Sequence, residues 1–372
     1  MSQGQMSETV LRHLESRSAI AERMLAISGR RPNAAQTEFA SSCLLHGRLF
    51  WDAANSAPLE TKPLLLYYGA AAFAKALVIA SRGCLPQDLS QAHGLSCKPG
   101  DGDLIENFTV KAQGNGLFQE FNDLAARLNR LNYVVDADPR VQVIPAATSA
   151  QLAALEMNLQ DCFSRQPSIA ETYALCTGRE SNSLPLQFNH LAHNGSDWFS
   201  IRTDVRNNFE TLDQLRLKVD DVRSRFPFMS GWCLGEANNA WGNTVLQFYN
   251  CTPRENELTL AMTGGQWPLS GPEVCFEPMA TLPPLAGGWS HGYVAAIAPL
   301  DGHTVSEFSI MLAALLALSS LVRYHPHTWT ACVHRRPMAG RTIDDSLLPV
   351  ISEFLASVEL SFPRFVAEAL TQ

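Results

Sequence analysis

Two segments of this chain are too apolar to lie on a protein surface. PLLLYYGAAAFAKALVIA, residues 63 to 80, carries a single charge, Lys75, and FSIMLAALLALSSLV, residues 308 to 322, carries none. The first is interrupted by its lysine, and the second is shorter than the roughly 20 residues that span a bilayer. Both read as helices that are apolar all round, which belong to the interior of a large helical domain. They stand about 230 residues apart, and the economical way to bury both is against each other. The two ends of the chain are therefore expected to build one core.

The flanking patterns extend this reading. Residues 6 to 27 and 33 to 54 repeat apolar positions every three or four residues, and the stretch 29 to 32, with Gly29 and Pro32, separates them. The next helix begins beside Pro58 and Pro63 and stops near Gly83. Short alternating runs around Gly114-Asn-Gly116 suggest a hairpin, after which FQEFNDLAARLNRLN returns to helical spacing. Residues 148 to 178 and 209 to 225 are further helix candidates. From about 228 the chain turns rich in Gly, Trp and Pro, and NTVLQFYNC, ELTLAMT and HGYVAAIAP read as strands. Thr304-Val-Ser-Glu307 has the form of a capping box ahead of the second apolar run, and a last helix covers about 344 to 370.

The expectation is a predominantly helical α+β protein in three sections. Residues 1–135 form an N-terminal helical part with a small hairpin, 136–303 a mixed middle section, and 304–372 the C-terminal helices that complete the bundle.

With 46% apolar and 17% charged residues the chain can bury a sizeable core, and its formal charge of −8 argues against wholesale binding to nucleic acid or an anionic membrane. Any anion site must be local. The nine cysteines include no C-x-x-C pair, which suits free thiols in a reducing, cytoplasmic setting better than a disulfide framework or a thiolate metal site. The first residues lack the continuous apolar core of a secretory signal.

Several motifs fall away on context. Gly288-Trp-Ser290-His-Gly292 spells a nucleophile elbow, but the adjacent prolines Pro283 and Pro284 break the strand that should precede it. No phosphate-cradling G-x-x-x-x-G-K-[ST] exists. His190 and His193 come with no H-E-x-x-H and no nearby carboxylate pair to complete a metal site. No metal and no cofactor is implied.

The basic chemistry concentrates in SSLVRYHPHTWTACVHRRPMAGR, with Arg323, His325, His327, His334, Arg335, Arg336 and Arg341. From Phe308 to Ile343 there is no acidic residue. Guanidinium groups bind phosphate bidentately, and a neighbouring imidazole can move protons at neutral pH. Arg323 also stands where a cation complements a helix C-terminus, so a structural role competes with an anion-binding one. Lys75 has parallel readings: snorkelling at the bundle edge, pairing with Asp52 or Glu60, or holding a substrate anion.

Taken together, RLFWDAANSAPLETKPLLLYYGAAAFAKALVIA, AHGLS, VKAQGNGLFQEF and LLALSSLVRYHPHTW, in that order, resemble the bacterial YaaC-like family, whose members share a PLL-YYG-KA helix, a following HGL, a GLF segment and a late RY–W motif. The resemblance covers residues 48 to 121 and 305 to 329, and membership by itself implies no particular reaction. The apolar helix ending in K-A-L, the His-Gly-Leu loop and the late arginine also resemble the HEPN group of helical bundles. That likeness implies ribonucleases of toxin and anti-phage systems, together with non-catalytic relatives. The HEPN nuclease motif separates its arginine and histidine by more than the three residues between Arg323 and His327 here.

The resulting functional expectation is an anion-binding module directed at RNA or a nucleotide. If it cuts RNA, it is a metal-independent ribonuclease in which Arg323 stabilises phosphate charge and His325 or His327 acts as general base or acid. Lys75, Arg48, His93, His334 and Arg335 are the candidate binding residues. The competing reading is a non-catalytic scaffold that pairs with itself or a protein partner through Trp232, Trp241, Trp267 and Trp289. Neither reading involves a membrane.

Overall fold

The computed structural model describes residues 3–99, 105–128, 141–193, 196–251, 255–263, 280–287, 294–334 and 347–371. The chain opens with four helices, α1 (Gln3–Leu14), α2 (Arg17–Ser28), α3 (Ala34–Ser56) and α4 (Lys62–Arg82). The helix expected over 6 to 27 is two, because Ser16 adopts an extended backbone between α1 and α2. A reciprocal capping box between Asn33 and Gln36 starts α3. Pro63 sits in the first turn of α4, and Gly83, at φ +61°, closes that helix in the left-handed conformation.

Helices α3 and α4 form a tight antiparallel hairpin. A Cβ on Gly69 would lie 2.7 Å from the Trp51 indole and 3.2 Å from the Gly47 carbonyl oxygen, so the close approach requires glycine there.

The next part holds β1 (Leu95–Lys98), β2 (Thr109–Ala112), α5 (Leu117–Leu128), β3 (Val141–Val143), β4 (Glu156–Asn158), α6 (Leu159–Ser164) and α7 (Ala170–Thr177). Strand β2 pairs antiparallel with both β1 and β4. The expected hairpin around Gly114-Asn-Gly116 is instead the turn that launches α5. The helix expected over 148 to 178 is broken into β4, α6 and α7, because Met157 pairs with Val110 to complete the small sheet.

A six-stranded antiparallel sheet follows. It uses β5 (Ser183–His193), β6 (Ser196–Arg206), β7 (Cys233–Ala240), β8 (Asn243–Tyr249), β10 (Leu285–Gly287) and β11 (Val294–Ile297), in the order β10-β11-β5-β6-β8-β7. Helices α8 (Leu212–Arg225) and α9 (Glu257–Met262) contribute to a second core containing Leu215, Val219, Phe226, Leu234, Leu246 and Phe248. Strand β9 (Ala280–Leu282) pairs in parallel with β3. ELTLAMT, expected as a strand, is α9, whose Glu257 carboxylate accepts both the Leu234 N–H and the Arg223 guanidinium. The expected strands in NTVLQFYNC and HGYVAAIAP are β8 and β11. Residues from Ala147 to Tyr173 pack into the first, helical core, and the second begins at Leu184.

The chain then returns to the helical core with α10 (Glu307–Tyr324), α11 (Pro326–Val333) and α12 (Leu347–Thr371). The apolar helices α4 and α10 pack directly on each other, as their composition demands. Both are long and apolar enough to cross a bilayer by composition, yet most of each apolar stretch is buried in the protein's own core. Fifteen of the eighteen residues of α10 are buried, which places it at the centre rather than the rim. Each fully buried leucine there contributes about 1.5–3 kcal/mol.

The capping box expected at Thr304–Glu307 does not form. Glu307 is already the first helical residue, and its carboxylate accepts the Gly287 N–H of β10 at 2.7 Å. That bond joins the buried start of α10 to the large sheet.

Helix α12 contains Pro363, which has no N–H to offer the carbonyl of Glu359 four residues earlier. The Trp51 indole N–H donates to that same carbonyl at 3.0 Å. A proline in α12 thus leaves an acceptor that α3 uses. Phe308 of α10 stacks on Phe365 of α12, with ring centroids 3.9 Å apart. The fold is mixed α+β, with a helical core drawn from both ends of the chain and the large sheet inserted between them.

Candidate anion site

The site begins with the way the His-Gly-Leu loop is held. Gly94 and Gly116 cross so closely that a Cβ on Gly116 would lie 2.2 Å from the Gly94 Cα, and both have positive φ, +78° and +147°. The carbonyls of Ala92 and His93 accept the first N–H groups of α5, from Leu117 and Phe118. Those donors have no partner inside their own helix. Gln119 adds a bond from its side-chain amide to the Gly94 carbonyl at 2.9 Å. His93 is therefore fixed by the start of α5 on one side and by the glycine crossing on the other.

Its imidazole meets α4. The Tyr67 hydroxyl lies 2.6 Å from His93 Nδ1, and the two rings meet edge to face at 5.5 Å. Burial raises the Tyr67 pKa well above the ordinary phenol value. Partial burial lowers the His93 pKa, and the positive charges of Arg323 and Lys75 lower it further. At neutral pH the phenol is protonated and the imidazole neutral, so Tyr67 donates to Nδ1 and the ring proton sits on Nε2. The ring nitrogen that Tyr67 does not bond is therefore a donor.

The two cations come from the two apolar helices. Lys75 lies on α4, close enough to Cys43 and His93 to bear on the acidity of both. Arg323 ends α10, where its guanidinium donates to the Ser319 carbonyl and hydroxyl, both at 3.3 Å. Arg323 is also near Tyr67 and Cys97, and the Cys97 thiol is hydrogen-bonded to Ser320. Burial raises the Cys97 pKa, so it stays a thiol. Among the described residues neither Lys75 nor Arg323 has a carboxylate partner. The carboxylates weighed for Lys75 are taken: Asp52 pairs with Arg48 at 2.9 Å, and Glu60 with His334 at 3.1 Å.

The structure thus brings together Lys75, His93 and Arg323 from the candidates read in the sequence. It adds Tyr67, which an apolar context had concealed. The other candidates lie elsewhere. Arg48 is held by Glu15, at 3.0 Å through its second terminal nitrogen, and by Asp52. His325 packs edge-on against Phe108 at 5.5 Å, and His327 Nε2 stands 3.4 Å from the Thr328 hydroxyl. The motif tryptophan Trp329 donates to the Glu60 carbonyl at 2.9 Å, anchoring α11 to the α3–α4 loop. Arg335, Arg336, Arg341, Gly288–Gly292, Trp267 and Trp289 fall outside the described residues, as do the side chains of His190 and His193. Of the tryptophans proposed for a scaffold surface, Trp232 is buried and Trp241 is fully exposed at the β7–β8 turn.

Among the described residues no three His, Cys, Asp or Glu side chains converge to hold a metal. What the cluster offers is donors: two cations close enough to bear on His93, and the imidazole N–H itself. Each of its residues comes from a motif segment named above.

No curated protein and no solved structure matches the chain. The model of one family, YaaC-like protein, matches residues 7–370, including the middle section that carries no familiar motif, and the chain belongs to the YaaC-like family.

Proposed function

We propose that this protein binds a phosphate-bearing ligand, RNA or a nucleotide, at Lys75, His93 and Arg323. The observation that carries the reading is the pair of cations from two different helices, beside a neutral imidazole, with no carboxylate among the described residues to neutralise them. An arginine whose fork is only lightly used and a lysine without an ion pair form an uncompensated charge that an anion completes. The remainder of the protein is acidic, which confines the attraction to this spot.

The arrangement favours binding over cleavage. A HEPN-type ribonuclease would use Arg323 with His325 or His327, and those imidazoles are engaged by Phe108 and Thr328. His93 offers an N–H rather than a lone pair, so it suits charge stabilisation better than general-base work.

The test is binding of a labelled single-stranded RNA to the purified protein over a range of salt concentrations, with Arg323→Ala and Lys75→Ala at matched stability. Salt-dependent binding weakened in both variants supports the proposal. Binding that is absent, or indifferent to salt and to both substitutions, removes it, and self-association unchanged by either variant would favour the scaffold.

A further inference from the structure

Phosphate alone leaves one feature beside the cluster unused. Tyr324 follows Arg323, and the residue is 68% exposed although it closes the heavily buried α10. The Arg323 guanidinium lies over the same ring, 4.9 Å from its centroid. One face of the tyrosine is therefore occupied by the cation and the other is presented to solvent. An exposed aromatic ring backed by a guanidinium is a stacking platform for a planar, electron-rich group.

A second pair of aromatic rings adjoins Tyr67. Tyr68 contacts the ring of Tyr67, centroids 5.8 Å apart, and meets Phe50 at 5.6 Å with the two rings tilted by 32°. Tyr68 and Phe50 are each 36% exposed. Aromatic rings thus stand beside Arg323, at Tyr324, and beside the Tyr67 that bonds His93, at Tyr68. A nucleotide unit has this layout, with a planar base one sugar away from its phosphate. A duplex does not, because its bases are already stacked inside the helix.

We infer that the ligand is an unpaired nucleotide unit whose base stacks on the open face of Tyr324 while its phosphate lies against Arg323, Lys75 and His93. The inference rests on the anion-binding reading of that cluster and adds the base to it. Tyr68 and Phe50 are placed to receive the neighbouring base when the unit belongs to a strand. A free nucleotide and a single-stranded oligomer share this chemistry and differ in whether the second pair of rings matters.

The experiment measures binding of four probes: a labelled single-stranded RNA oligomer, an abasic oligomer of the same length, an RNA duplex, and AMP by competition. They are tested against the unaltered protein, Tyr324→Ala, Tyr324→Phe, Tyr68→Ala and Arg323→Ala. Tyr324 is exposed, so its substitutions leave the fold intact. Expected is a loss of roughly tenfold or more for the single strand in Tyr324→Ala, retained affinity in Tyr324→Phe, and weak binding of duplex and abasic probes. A further loss in Tyr68→Ala for the oligomer but not for AMP identifies a strand as the ligand; equal insensitivity of both identifies the free nucleotide. If abasic and normal oligomers bind alike and Tyr324→Ala changes nothing while Arg323→Ala still weakens both, stacking is overturned and the anion site stands. If no probe binds the unaltered protein, both readings fall.

Discussion

The Tyr67 hydroxyl stands 2.6 Å from Nδ1 of His93, joining the first apolar helix to the His-Gly-Leu loop. Because the phenol resists ionisation and the imidazole resists protonation, the bond has one favoured direction, from tyrosine to histidine. The pair sets which proton the site shows to a ligand.

A pH dependence follows. His93 is held below its ordinary pKa by burial and by the two cations, and an anion bound beside it favours its charged form. Affinity for an RNA oligomer, whose phosphodiesters keep their charge, should therefore rise as pH falls from 8 through the His93 pKa. Binding titrations across that range should give a sloped profile, flattened in His93→Gln. Tyr67→Phe removes the donor that favours the neutral ring, so the rise should begin at higher pH. Identical profiles in all three proteins would exclude His93 from the site.

The cations should be separable by salt. Each phosphate that a protein cation neutralises on a single strand contributes about 0.7 to the slope of log affinity against log salt. Because the two cations share one phosphate, Arg323→Ala and Lys75→Ala should each flatten the slope by less than about 0.7, and the double variant by about 0.7. Arg48→Ala should leave it unchanged, because that guanidinium is occupied by Glu15 and Asp52. Its effect should appear in thermal unfolding, since Glu15 is left half-buried without its partner.

Much of this was legible in the sequence, and the failures have physical causes. The apolar runs at 63 to 80 and 308 to 322 read as core helices, and α4 and α10 are buried in the helical core. ELTLAMT has no period long enough to separate six helical residues from a strand, and the Glu257 carboxylate, bound to Arg223 and the Leu234 N–H, decided the outcome. Lys75, His93 and Arg323 stood out as charged or titratable residues inside motif segments. Tyr67 did not, because a tyrosine in an apolar helix looks like core until its hydroxyl partner is known. Arg48 was equally visible as a cation, yet its carboxylates lie four residues ahead and 33 behind, and only the folded chain brings Glu15 to it. Glu307 fits a local cap by spacing but bonds Gly287 across the fold.

Glu307 should leave a signature in stability. Burial pushes its carboxyl up to about 7 from the ordinary value of 4.5, with the Gly287 N–H opposing the shift. Below pH 4.5 both folded and unfolded chains hold the proton. Between 4.5 and 7 the unfolded chain releases it while the folded one keeps it, so stability falls as pH rises, by ~3 kcal/mol in all. Chemical denaturation of Glu307→Gln should show this contribution abolished, with the variant gaining on the unaltered protein as pH rises from 4.5 to 7 and keeping that advantage above 7. Parallel curves for the two proteins would contradict the burial.

The glycine crossing should be intolerant of a methyl group. Gly116→Ala places a Cβ against the Gly94 backbone at a φ that side chains avoid, so roughly 2 to 4 kcal/mol should be lost. His93 should move with the loop, and RNA affinity should fall even under conditions where the variant remains folded. Gly114→Ala, which meets no atom within 4 Å, is the control and should change neither property.

The Pro363 device has a further consequence for the order in which the molecule is made. The α3–α4 hairpin leaves the ribosome long before α10 and α12, with the Trp51 indole N–H unanswered and with the flank of α4 that those two helices cover still bare. The large sheet, whose strands span 183 to 297, is synthesised and can close while the earlier hairpin still waits. A nascent chain stalled before α10 should therefore hold a folded sheet beside an open helical core, and Arg323 and His93 should come into register only once the helices that follow the sheet have been made.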